Sequence, residues 1–368
     1  MSDDLMTIND MLRCPTCDRA LEEVFVNPAG EMIGCRSCAE EAGLAGESVS
    51  LEEWYAPELV EEALSHYALT DPQAGKPTAT ATQRPRLHYW EVRAGGRRYF
   101  LKRFQDWYPT EAIRYIHSIL RCLEENHLQT PRAVLNTVGV SFTEAGESRW
   151  ALYDALDGAS VDENGWMWGR PKAAETLAVI HHTLQDFSPQ GAAFEPWDAW
   201  TEETVASVLE SWSNLVNLPP DLLDFVHDRL IVRYFGELYP ALPKQAIHGD
   251  FVLNNVLWHG AGASASVSGV LDFERAHRDT VLFDFAWGLG DRRPPLLRAT
   301  VASYTRLHPL STLEREALPE AMLLGCVMAI DMQLMYFENV RAVERLGKDL
   351  YQMARDLEAL RKAVALKQ

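Results

Sequence analysis

The stretch Ile247–Glu274, reading IHGDFVLNNVLWHGAGASASVSGVLDFE, constrains this 368-residue chain more than any other. VLW and VSGVLDF are short apolar runs separated by a Gly/Ala/Ser turn, the pattern of a β-hairpin. Polar residues stand at both of its ends. Asp250 and Asn255 are five apart, His248 lies two before the aspartate, and Asp272 follows Asn255 by 17 residues. Ordinary turn composition would give a plain hairpin. It does not readily place three polar residues at these spacings, each flanked by apolar strand residues.

An aspartate, an asparagine five on and a strand ending in a second aspartate is the order found in kinase active sites. There the first aspartate receives the proton of the attacking hydroxyl, while the asparagine and second aspartate hold magnesium against the phosphates. Magnesium favours such hard oxygen ligands. HGDFVLNN followed by LDFE resembles the aminoglycoside phosphotransferase and choline-kinase-like family of small-molecule kinases. Gly249 stands where protein kinases carry Arg, and Glu274 where they place the Gly of D-F-G. RAHRDTVLFDFAWG resembles the family's next element, with Asp284 in the D-F-A position; the resemblance implies a buried Asp284 that braces the catalytic loop. It spans roughly residues 56–340, and no A-P-E-like segment follows to form the activation loop of a protein-substrate kinase.

The resemblance implies an α+β, protein-kinase-like fold of two lobes, a small antiparallel sheet lobe and a large helical lobe. It implies ATP and Mg2+ as cofactors and a small-molecule hydroxyl as phosphate acceptor. Asp250 would be the catalytic base, with Asn255 and Asp272 as magnesium ligands. Upstream, LHYWEVRAGG and RRYFLKRF read as two alternating strands joined at Gly95-Gly96. Lys102 in the second strand is the candidate phosphate-binding lysine, with Arg103 its rival one residue along. TEAIRYIHSILRCLEENH is an amphipathic helix with Ile113, Ile116, Leu120 and Leu123 on one face. Glu111 is the acidic candidate in its first turns to orient Lys102; it serves equally well as a first-turn residue favouring the helix dipole. TPRAVLNTVGVSF and RWALYDALDG supply two more expected strands. ALYDALDG resembles the family's hinge, which implies adenine contacts from backbone near Asp154 to Leu156. PQAGKPTATATQRPR breaks every periodic pattern and contains no G-x-G-x-x-G; it reads as a linker or as the phosphate-covering loop between the first two strands of a kinase small lobe.

The N-terminus carries a separate motif. Cys14 and Cys17 form one C-x2-C pair and Cys35 and Cys38 another, with 17 residues between the pairs. This is the spacing of a four-thiolate zinc site, and the intervening ALEEVFVNPAGEMIG reads strand, turn, strand, so a zinc ribbon holding Zn2+ is expected. The rivals are two disulfides, disfavoured if the chain is cytoplasmic, or a redox C-x2-C pair. Residues 1–65 hold 15 acidic side chains against Arg13, Arg19 and Arg36, and the whole chain has a net charge of −19. That sign disfavours nucleic acid and anionic membranes. A structural role or a protein partner is the expected use of the ribbon. No apolar run reaches the length of a membrane span, and the expected location is cytoplasmic.

The domain division reads 1–48 for the ribbon, 50–157 for the small lobe with a leading helix, and 158–368 for the helical lobe. In the latter, His181 and His182 in LAVIHHTL read as packed structural histidines. Met328, Met332 and Met335 form a stripe read as core packing rather than as a wall of the acceptor pocket. Cys122 and Cys326 read as core residues. The alternative to an enzyme is a pseudokinase or regulatory module whose ribbon and acidic surface mediate protein contacts. Loss of any hairpin residue would favour it, and none is lost.

Overall fold

Where side chains alternate between burial and exposure the chain forms strands, and where burial recurs every three or four residues it forms helices. The computed structural model describes residues 19, 21, 23–26, 32–41, 46–50, 56–77, 89–104, 108–160, 166–191, 200–215, 220–289, 294–337, 348 and 350–352. These fall into two compact units. The first holds the described residues up to Tyr108 together with Arg132–Ala155 and 333–337; the second holds Pro109–Pro131, Leu156–Met332 and the described residues after 340.

The first unit begins with a three-stranded antiparallel sheet of β1 (Glu23–Val26), β2 (Met32–Gly34) and β3 (Glu47–Ser50), in the order β2-β1-β3. β1 and β2 are the two expected ribbon strands; β3 was not foreseen. Cys35 follows β2 directly, and Cys38 lies in the short helix α1 (Arg36–Glu41), opened by Ala39 N–H donating to the Cys35 carbonyl. Cys14 and Cys17 lie outside the described residues.

The expected leading helix is α2 (Pro57–Ser65), which buries Val60, Ala63 and Leu64. It shares a core with Trp90, Val92, Tyr99, Leu101, Trp150 and Leu152 from a five-stranded antiparallel sheet. That sheet runs β4 (Gln73–Pro77), β5 (Tyr89–Ala94), β6 (Arg97–Phe104), β8 (Ser148–Asp154) and β7 (Thr143–Ala145) in spatial order. β5 and β6 are the expected hairpin. β4 corrects the sequence reading: Gln73–Pro77, irregular in pattern, pairs as an edge strand with a register break between Ala74 and Pro77. An edge position tolerates Pro and Gly because half of its backbone groups need no ladder partner.

A second correction concerns TPRAVLNTVGVSF. Only Ala133 makes a bridge, to Tyr153, and Val134 N–H donates to the Leu152 carbonyl. The remainder is a loop held by Asn136, whose side-chain oxygen accepts from the N–H groups of Val138 and Val140 and whose amide donates to the Phe142 carbonyl. An asparagine that binds neighbouring backbone in this way competes with strand pairing.

The second unit contains α3 (Thr110–Glu125), α4 (Trp166–Leu184), α5 (Glu202–Leu215) and α6 (Pro220–His227). α6 continues into a π-helical segment, Asp228–Leu238. The central hairpin follows, β10 (Val256–His259) against β11 (Ser266–Val270), with a second small sheet of β9 (Gln245–Ile247) and β12 (His277–Asp279). α7 (Val281–Asp284), α8 (Pro294–Thr305) and α9 (Thr312–Phe337) follow, with residues 333–337 of α9 counted in the first unit. Met328 is buried, as a core residue should be. No helix among the described residues is long and apolar enough to cross a membrane.

Candidate active site

The hairpin brings Asp250, Asn255 and Asp272 together through backbone bonds rather than through contacts of their own tips alone. Asn255 Nδ2 donates to the Asp250 carbonyl at 2.9 Å and to Asp250 Oδ2 at 3.2 Å. The same residue's carbonyl accepts from Leu271 N–H at 2.8 Å, which fixes the start of the Asp272 turn beside it. Asp272 sits in the left-handed region, φ 65°, a conformation aspartate tolerates better than most side chains. Because the amide nitrogen of Asn255 is engaged with Asp250, its oxygen is the atom able to act as a donor to a cation. With the Asp272 carboxylate this makes a hard-oxygen donor set suited to Mg2+.

His248 ties the two halves of the hairpin. It is fully buried, and burial pushes its imidazole below the ordinary histidine range, so the ring is neutral. Nε2–H donates to the Leu271 carbonyl at 2.9 Å, and Nδ1 accepts from Asp250 N–H at 3.1 Å. These partners select one tautomer. One ring thus links the backbone of the first aspartate to the residue preceding the second.

Below the loop lies Asp284, fully buried. It accepts the N–H of His248 at 2.8 Å and of Gly249 at 2.7 Å, and bonds His181 Nε2 at 3.0 Å. Burial alone would raise its carboxyl. The His181 hydrogen bond, the neighbouring imidazoles and the His248 N–H bring it below the ordinary carboxylate value. The bracing expected of Asp284 is therefore visible bond by bond. His181, read as structural from sequence, is buried and also bonds Tyr304 Oη at 2.7 Å through Nδ1; His182 is exposed.

Gly249 has φ +81°, and a Cβ there would stand 1.9 Å from the Arg275 carbonyl oxygen. No side chain fits, which explains why this chain departs from the Arg of protein kinases. Trp287 was missed in the sequence. Its indole Nε1–H donates to Asp250 Oδ1 at 2.9 Å.

The remaining sequence candidates are placed as follows. Lys102, on β6 of the first unit, is 4% exposed, with Nζ 4.7 Å from the Phe104 ring centre and 5.1 Å from that of Tyr89. Arg103 points to the opposite face of the sheet, as strand alternation requires, and donates to Ser148 Oγ at 2.9 Å. Asp154 ends β8, with Arg97 on Oδ1 at 2.7 Å and Arg132 on Oδ2. Its N–H donates to the Arg132 carbonyl and that of Ala155 to the Arg98 carbonyl. Leu156 begins the second unit. Glu111, in the first turn of α3, is about half exposed and paired with Arg114.

The sequence is 27% identical over 215 residues to a homoserine kinase of Gluconacetobacter diazotrophicus, covering 55% of this chain and 63% of the relative. It is 26% identical over 242 residues to a homoserine kinase of Methylobacillus glycogenes, covering 62% and 70%. The chain thus spans less than two thirds of the length of the Gluconacetobacter relative. Among solved structures, a microcompartment-associated aminopropanol kinase superposes with a TM-score of 0.61 at 15% identity, over 84% of this chain and 99% of that one. An amicoumacin kinase gives 0.57 at 14%, over 84% and 95%. At such identity the likeness speaks for the fold, which is the protein-kinase-like α+β fold. The sequence model of the phosphotransferase enzyme family matches residues 87–318, and with well over half of its length so matched, this chain belongs to the phosphotransferase enzyme family.

Proposed function

We propose that the protein transfers the γ-phosphoryl group of ATP to a hydroxyl of a small molecule. The observation that carries this reading is the double donation of Asn255 Nδ2 to the carbonyl and carboxylate of Asp250. It aligns a base and a metal ligand in one rigid turn. Asp250 accepts the proton of the acceptor hydroxyl as that oxygen bonds the γ-phosphorus; the bond to the β,γ-bridging oxygen breaks and ADP leaves with the electron pair. Asn255 and Asp272 would hold Mg2+, which when bound neutralises charge on the phosphates. Lys102 is proposed to bind phosphate, with Glu111 as the candidate to orient it, and the stretch from Asp154 to Leu156 is proposed to border the adenine. Positioning and charge neutralisation are the main contributions a protein makes to such reactions.

The acceptor class is a small amino-bearing or sugar alcohol. Support comes from the names of the relatives, which are homoserine, aminopropanol and amicoumacin kinases. An ATP-consumption screen over L-homoserine, amino alcohols, amino sugars and sugars tests it. Asp250→Asn should keep Mg·ATP affinity while turnover falls by roughly two to four orders of magnitude. Asp272→Asn should weaken both. No turnover with any acceptor by the unaltered protein would favour the regulatory alternative.

We further propose that Cys14, Cys17, Cys35 and Cys38 hold one Zn2+ and that the ribbon is structural or contacts a protein. The support is the C-x2-C spacing of both pairs, with Cys35 directly before α1 and Cys38 in its first turn. Metal analysis should find about one zinc per chain, unchanged by Cys122→Ser or Cys326→Ser.

A further inference from the structure

We propose that Trp287 is a positioning residue for the catalytic carboxylate, acting through its indole N–H on Asp250; this rests on the kinase reading above. Both Asp250 oxygens accept from side chains. Oδ1 takes the Trp287 indole N–H at 2.9 Å and Oδ2 takes the Asn255 amide at 3.2 Å. Donors on both oxygens fix the rotation of the carboxylate about χ2, an otherwise broad torsion. Each carboxylate oxygen has two lone-pair directions, so a donor on an oxygen does not by itself exclude the proton of the acceptor. Indole is a donor only and carries no charge at any working pH, so it orients the base without competing for that proton.

The backbone around Trp287 is held for this purpose. Phe285–Leu289 is a π-helical turn following α7, and such turns redirect a side chain relative to an α-helix. Gly288 presses directly on the residue after the base: a Cβ there would stand 1.5 Å from the Phe251 carbonyl oxygen. Arg170 Nη1 donates to the Gly288 carbonyl at 3.2 Å from α4. One residue before the turn, Asp284 grips the N–H groups of His248 and Gly249. The indole and the carboxylate are therefore anchored to the same short piece of backbone. Core filling does not account for Trp287, because it remains partly exposed while Phe285, Gly288 and Leu289 beside it are buried.

The experiment replaces Trp287 with 3-benzothienylalanine, which has sulfur in place of the indole N–H and nearly the same shape, alongside Trp287→Phe. The readouts are turnover with L-homoserine, 1-amino-2-propanol or water as phosphate acceptor, and Mg·ATP affinity by titration. The expected result is a fall in kcat of about 10- to 100-fold, with Mg·ATP affinity within about twofold, for the isostere as for Phe. A second readout needs no turnover: in 15N-tryptophan-labelled protein, the indole resonance lost in Trp287→Phe should shift upfield in Asp250→Asn, where a neutral amide replaces the carboxylate. An unchanged kcat in the isostere, or an indole resonance indifferent to Asp250→Asn, overturns the proposal. If the unaltered protein turns over no ATP while the resonance shifts as expected, the kinase reading fails and the Trp287–Asp250 bond stands, which removes the catalytic role but not the contact.

Discussion

The central hairpin and the five-stranded sheet place their polar residues in two different ways. In the hairpin, Asp250, Asn255 and Asp272 are set by side chains bonding to backbone a few residues away, with His248 closing the longest link at 23 residues. In the sheet, the face that Lys102 takes is set by strand register, with Tyr89 paired across on one side and Ala151 on the other. A one-residue slip would turn it to the opposite face and bring Arg103 in its stead. A site built from local bonds is written in residue spacing. A residue placed by register depends on long-range pairing that spacing does not show.

The first way to break this contrast is to remove the acceptor under the hairpin. Asp284→Asn keeps the volume but presents an NH2 where one of two backbone N–H groups needs an oxygen, and it removes the charge facing His181. Breaking a buried pair from one side costs roughly 3–5 kcal/mol, so denaturant unfolding should show a loss of that order and activity should fall with it. A loss below about 1 kcal/mol, the worth of a single ordinary hydrogen bond, would show that the loop holds its shape without the brace.

The sheet is tested by the pair Lys102→Met and Arg103→Ala. If register decides the role, Lys102→Met should lower turnover by roughly two orders of magnitude, the scale of one lost charge-stabilising donor. Arg103→Ala loses a bond to Ser148 and a stack over Trp150, and should cost stability on the order of 1 kcal/mol with nucleotide binding intact. Reversed outcomes would mean that Arg103, not Lys102, serves the phosphates.

The same contrast explains what could be read in advance. The nearness of Asp250, Asn255 and the Asp272 turn, the leading helix and the β5–β6 hairpin were legible because each depends on short spacing or simple alternation. The bonds of Trp287 to Asp250, His181 to Asp284 and His181 to Tyr304 join residues 37, 103 and 123 positions apart. Nothing in the local pattern of DFAWG distinguishes a tryptophan that donates to a base from one that fills a core. The strand expected near residues 130–142 failed for a related reason: apolar alternation was present, but Asn136 offered the backbone closer partners. Gln73–Pro77 was missed because Gly and Pro mask strand pattern at a sheet edge.

The smallest expected effect separates the two units by pH. The described part of the first unit carries one histidine, His66, exposed at its surface. The second unit buries several. Burial, with His181 and His182 nearby and Glu314 opposing, pushes His308 down to about 4, and burial also lowers His248. For a base held below its unfolded value near 6.5, the unfolded chain binds more protons in the interval between them, so stability rises with pH there. The contribution of His308 is fully present above about pH 6.5 and is lost as pH falls toward about 4. His277, raised through its bond to Asp279 despite burial, runs the other way and partly offsets the loss. Hydrogen exchange followed peptide by peptide from pH 7 to 4.5 should therefore show protection falling in α4, α8 and the hairpin while β5, β6 and β8 change little. His308→Phe keeps an aromatic ring against His181 and Tyr304 but cannot titrate. It should flatten the pH dependence of the second unit by a few degrees in Tm, on the order expected for about 1 kcal/mol in a domain of this size, and leave the first unit unmoved. Equal acid sensitivity in the two units, or no flattening in His308→Phe, would place the titrating groups elsewhere.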